Sequence, residues 1–105
     1  MAKQVIWSLR AQDERKEILK FWREKNKSNT YSKKLDLRFR EVINIIKDFP
    51  QIGKQTDDSN ARVKIVKDYL LIYEETQDSI IILTIWDGRQ DPKKLETILN
   101  KPASR

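Results

Sequence analysis

Hydrophobic and polar positions change period along this chain, and each change marks an element. Residues 3–9 alternate, with Val5, Trp7 and Leu9 on one face and Gln4, Ile6 and Ser8 on the other, which predicts a strand. Over residues 11–27 the period becomes helical. Ala11, Ile18 and Trp22, with Leu19 and Phe21 beside them, take one side, while Arg15, Lys16, Lys20, Arg23 and Lys27 populate the rest. A polar break at 26–30 follows, in which Ser28, Asn29 or Thr30 can cap the next helix. In that second helix Tyr31, Leu35, Phe39, Val42, Ile46 and Phe49 are spaced four, four, three, four and three apart, a continuous apolar stripe that Pro50 ends. Two helices joined by so short a break pack as an antiparallel hairpin.

Beyond Pro50 the register is lost, and residues 51–60 read as a loop. Alternation returns at 61–66, where Arg62 and Lys64 lie opposite Ala61, Val63 and Ile65. Lys67 and Asp68 turn the chain into a strand at 69–75, and residues 76–79 turn it again. The next stretch, 80–92, reads IIILTIWDGRQDP. Its first seven residues contain four isoleucines and a single polar side chain, Thr84, which predicts a strand buried on both faces. Asp91 and Pro92 have the arrangement of a helix N-cap and first residue, so a short helix is expected at 92–100, facing in through Leu95, Ile98 and Leu99. The predicted fold is therefore α+β, a single domain over 1–105 in the order β-α-α-β-β-β. It comprises an antiparallel four-stranded sheet, a helical hairpin packed on one face and a short C-terminal helix. If every connection reverses the chain, the first strand runs antiparallel to the last and pairs with it.

Composition narrows the chemistry. The chain has no cysteine and no histidine, so disulfides, thiolate nucleophiles, histidine metal sites and histidine proton shuttles are excluded. Catalysis, if any, would rest on Lys, Arg, Asp, Glu, Tyr, Ser or Thr. Asp57 with Asp58, or Glu74 with Glu75, could bind a hard cation, but adjacent acids in turns are usually solvated, and neither a metal nor a cofactor is expected. No apolar run approaches membrane-spanning length and the amino terminus lacks a signal-peptide core, so a soluble, cytoplasmic protein with no membrane partner is expected. The net charge of +6 favours a polyanion or an acidic protein as partner. Residues 1–30 carry eight basic and four acidic groups, so any basic face leans on the first helix.

The sharpest candidate for function is the exit from strand 80–86. Gly88 allows the positive φ that an abrupt exit can need, and a rigid strand would hold Asp87 and Arg89 at its tip. These two either form a site or simply solvate the turn and pair with each other.

The strings VIWSLRAQDERKEI, FPQIGK, YLLIYEE and IILTIWDGRQDPKKL, with Arg62 entering the meander, resemble in joint order and spacing the RelE/ParE superfamily of bacterial toxins from type II toxin–antitoxin pairs. The resemblance implies a compact toxin held inactive by an antitoxin whose chain wraps over helices and sheet. ParE-like members poison DNA gyrase without being nucleases, whereas RelE-like members enter the ribosome and cut messenger RNA. Lys54, Arg62 and Arg89 match the nuclease branch's basic positions in type and rough place, and in that case they are the candidate catalytic groups. That branch also uses a His or Tyr near the final strand for proton transfer. Here no Tyr or His follows Arg89, and Trp86 and Asp87 stand where many relatives have histidine. A nuclease would then need Lys54, Glu41 or Asp87 to move the proton. The ParE-like, non-enzymatic role is favoured, with Arg62, Lys64, Asp87 and Arg89 as candidate target-binding residues, DNA gyrase as target and a cognate antitoxin as partner. The alternatives are a RelE-like, ribosome-dependent endonuclease and a general nucleic-acid-binding module.

Overall fold

The computed structural model describes residues 3–56 and 60–89. Strand β1 (Gln4–Trp7) runs directly into helix α1 (Leu9–Asn26). Ser8 makes the junction, since its hydroxyl accepts from the Ala11 amide at 3.0 Å and caps the helix. Leu9, expected on the strand, is instead the first helical residue and 80% exposed. Lys27 closes α1 in the left-handed conformation (φ 52°). Helix α2 (Thr30–Asp48) follows, and a one-turn 3-10 segment (Pro50–Ile52) leads to strands β2 (Lys54–Gln55), β3 (Ala61–Val66), β4 (Tyr69–Glu75) and β5 (Ser79–Asp87).

The sheet is five-stranded and mixed, in the order β1-β5-β4-β3-β2, rather than four-stranded and antiparallel. β1 pairs with β5 in parallel, Val5 opposite Ile80 and Trp7 opposite Ile82. The reason lies in the segment read as loop. β2 is antiparallel to β3, so the chain reverses once more between α2 and β3 than the main elements require, and the first and last strands end up codirectional. The short C-terminal helix expected at 92–100 falls outside the described residues.

One face of the sheet carries the main core. Leu35, Phe39, Val42 and Ile46 of α2 and Ala11 of α1 pack on Tyr69, Leu71, Tyr73, Ile80 and Ile82. Phe49, assigned to the same stripe, is 66% exposed. As the residue that leaves α2 (φ −133°, ψ 72°), it no longer follows the helical period. Phe21 is likewise exposed, while Ile18, Leu19 and Trp22 pack on the core. On the opposite face Ala61, Ile72 and Trp86 form a second, smaller cluster, so β5 is apolar on both sides as its sequence requires.

Tyr73 fastens the end of the helical hairpin to the sheet. Its hydroxyl donates to the Pro50 carbonyl (2.8 Å) and accepts from the Gly53 amide (2.9 Å). A Cβ on Gly53 would stand 2.6 Å from that oxygen, which is why glycine precedes the lysine of the FPQIGK string. Tyr73→Phe should leave the buried Gly53 amide without an acceptor and cost about 1–3 kcal/mol in denaturant unfolding. A loss below about 0.5 kcal/mol would show that the clamp contributes little.

Candidate target-binding site

At the end of β5 the chain makes a tight charged turn. The Asp87 carboxylate accepts from the Arg89 amide (2.9 Å), from Nε (3.0 Å) and from Nη2 (2.9 Å), so backbone and side chain of Arg89 are fixed by one acid. Hydrogen bonding from the Arg89 side chain holds the Asp87 carboxyl below its ordinary range, opposed by its partial burial. The same pairing raises the Arg89 guanidinium. The expectation that the two residues pair with each other therefore describes their geometry.

Gly88 does not have a positive φ; no glycine among the described residues does. It is needed for a close approach. Its amide donates to the Asp68 carbonyl at 2.9 Å, and an added Cβ would stand 2.9 Å from that oxygen. The left-handed residue of this region is Lys67 (φ 57°), in the β3–β4 turn that Gly88 contacts.

Register shows which candidate residues share a neighbourhood. Asp87 lies opposite Tyr69 on β4, which lies opposite Val66 on β3. Arg62 is four residues from Val66 along β3 and two strands from β5, which puts it about 16 Å from Asp87 by standard strand spacings. Its guanidinium is already engaged, donating to the carbonyls of Gly53 (2.9 Å) and Gln51 (3.3 Å). Lys54 is exposed on β2, opposite Val63 and next to the Gln55–Arg62 pair, and Lys64 is half-buried on β3. Arg62 and Lys64 thus share one face of β3, Lys54 takes the other face on the neighbouring β2, and Asp87 and Arg89 stand at the tip of β5, with β4 between them.

An open groove of ≈ 480 Å³ lies between α1 and this tip. Arg10, Glu14 and Glu17 from α1 and Trp86, Asp87 and Arg89 from the strand end contribute to its lining, with Tyr69 from β4. Trp22 reaches the same region, where its indole N–H donates to the Tyr69 hydroxyl at 2.8 Å. Burial raises the Tyr69 phenol above its ordinary value, against the lowering effect of that bond. Glu14, Tyr69 and Trp22 carried no functional signal in the sequence beyond their residue types. Glu14 in particular reads as an ordinary helix-surface acid, yet it bonds to the β5 backbone. Among the described residues no group of three or more acidic side chains could hold a metal ion, and no helix is long and apolar enough to cross a membrane.

A helical hairpin laid on a mixed sheet whose last strand ends in an acid-fixed arginine places the molecule among small two-layer α+β proteins. A solved structure described as "Chromosomal ParDE TA system from P. aeruginosa" has this fold, with a TM-score of 0.70 at 12% identity over 82% of this chain and 96% of that one. No curated protein shows significant sequence similarity to the chain. A family model described as "ParE toxin of type II toxin-antitoxin system, parDE" matches residues 5–92, and the chain belongs to that family.

Proposed function

We propose that this ParE-family toxin inhibits DNA gyrase without being a nuclease, that it meets its target through the tip of β5, and that a cognate antitoxin neutralises it in the cytoplasm. The observation that supports the non-enzymatic reading most is the dispersal of the basic groups. In-line attack of a ribose 2′-OH needs a proton acceptor and cationic stabilisation around one phosphate. Here Arg62 is occupied by two carbonyls, while Arg89 is two strands away on the Asp87 carboxylate. What the tip offers is a preorganised guanidinium: Nε and Nη2 of Arg89 are bound to Asp87, and the side chain remains 57% exposed and accessible to a partner.

Expression of the lone chain in bacteria should stop growth, with DNA-damage signalling and filamentation, and co-expression of the antitoxin should restore it. Purified protein should trap gyrase on cleaved DNA and leave a reconstituted translation mix intact. Normal growth under strong soluble expression would count against the toxin role. Codon-resolved messenger RNA cleavage in the translation mix would overturn gyrase in favour of the ribosome.

A further inference from the structure

β5 is not a regular strand. Along its ladder with β4, Tyr73 pairs with Ile82 but Ile72 pairs with Thr84, so Leu83 is an extra residue and the strand bulges there. The consequence is a change of face. Side chains alternate along a strand, so an unbroken β5 that turns Ile80 and Ile82 toward the helices would turn Thr84 and Trp86 there as well and send Asp87 to the other side. With the bulge, Ile85 joins the helix-side core, Trp86 joins the cluster on the opposite face, and Asp87 sits across from Tyr69 on the helix side. One inserted residue therefore decides which face of the sheet carries the tip.

Where β1 ends beside the bulge, the N-terminal part of the chain satisfies groups on β5. At the strand–helix junction the Ser8 amide donates to the Ile82 carbonyl (3.0 Å), continuing the parallel β1–β5 ladder, and the Ser8 hydroxyl donates to the carbonyl of the bulged Leu83 (2.8 Å). From α1, Glu14 Oε1 accepts from the Thr84 hydroxyl (2.6 Å) and from the Ile85 amide (3.0 Å). Its second oxygen, Oε2, lies 3.3 Å from Arg10 Nε, one helical turn earlier. Thr84 is fully buried, so loss of the carboxylate would strand a hydroxyl and an amide where water cannot easily replace it.

We propose that Glu14 is a positioning residue for the β5 tip: by accepting from Thr84 and Ile85 it holds the bulge that sets Asp87 and Arg89 on the helix side of the sheet. The role in toxicity rests on the reading that this tip meets the target; the role in strand geometry does not. A helix-surface glutamate thus acts at a distance, through the backbone it fixes, with Arg10 orienting its free oxygen.

The test measures amide hydrogen exchange at Ile85 and growth arrest in Glu14→Ala and Glu14→Gln. Loss of the acceptor should speed Ile85 exchange about tenfold or more in folded Glu14→Ala and shift the Trp86 indole and Arg89 amide resonances, with growth arrest lost. Glu14→Gln keeps a carbonyl acceptor in place and should restore both exchange protection and toxicity, a rescue that mere loss of helix-surface charge would not permit. Unchanged Ile85 exchange in Glu14→Ala, or Glu14→Gln behaving like Glu14→Ala, overturns the proposal. Should Glu14→Ala not fold, Thr84→Val carries the test, because it removes one donor with little change of shape. Faster Ile85 exchange and shifted Trp86 and Arg89 resonances are expected in it, and wild-type values for both overturn the role. If Glu14→Ala is deprotected yet fully toxic, Arg89→Glu separates the causes. A non-toxic Arg89→Glu then overturns positioning by Glu14, whereas a toxic one overturns the tip as target contact and leaves the exchange result to decide the strand geometry.

Discussion

Phe39→Ala should lower the free energy of unfolding by about 3–5 kcal/mol, the range for removing a fully buried phenylalanine. Phe39 has no exposed surface and lies in the middle of α2, between Leu35 and Val42 in the stripe that covers the sheet. Its ring meets Tyr69 edge-on, with centroids 6.0 Å apart and planes at 69°, a geometry that adds to the burial. Alanine would leave a cavity where hairpin and sheet meet, and neither the helix nor the strands can close it without moving together. A small domain is stable by only about 5–15 kcal/mol, so the variant would lose a large share of its margin. Denaturant unfolding of purified wild type and variant checks this. A loss below about 1 kcal/mol would mean that the helix does not bury this face.

Arg89→Glu should abolish toxicity while leaving the fold and antitoxin binding largely intact. The substitution keeps a long side chain but replaces the donor that Asp87 holds with a second carboxylate beside it. Repulsion would open the turn, and any approaching phosphate or acidic surface would meet negative charge instead of a guanidinium. The side chain is exposed and removes no apolar contact, so stability should change little. Growth arrest on expression, circular dichroism and antitoxin co-purification measure the three parts of this expectation. Retained toxicity in a folded Arg89→Glu protein would remove the strand tip from the site altogether.

Helix periodicity made most of the core legible. Leu35, Phe39, Val42 and Ile46 are a stripe in the sequence and a buried face in the molecule, because a period of about 3.6 residues maps directly onto one side of a helix. The meander was legible because three apolar runs separated by short polar turns can hardly pair otherwise, and β3 and β4 keep the expected bounds, 61–66 from alternation and 69–75 from the flanking turns. Phe49 misled because a helix end breaks the period without any change in residue type. The extra strand β2 was hidden, since two residues, Lys54 and Gln55, are too few to show a pattern. That short pairing is what turned β1 parallel to β5.

What the sequence by itself determined was local: the two helices and the strands at 61–66, 69–75 and 80–86, which side chains are apolar, that histidine and cysteine chemistry is excluded, and that Asp87 and Arg89 stand at the end of a strand. Tertiary structure alone decided the contacts between residues far apart in the chain. It tied Tyr73 to the Pro50–Ile52 turn, engaged Arg62 with the carbonyls of Gln51 and Gly53, and set Glu14 against a bulge some seventy residues later. The physical reason is that alternation fixes a face only while the ladder is regular. At Leu83 one extra residue reverses the parity, and the groups that hold it there, on Ser8 and Glu14, are brought to it only by the packing of α1 on the sheet.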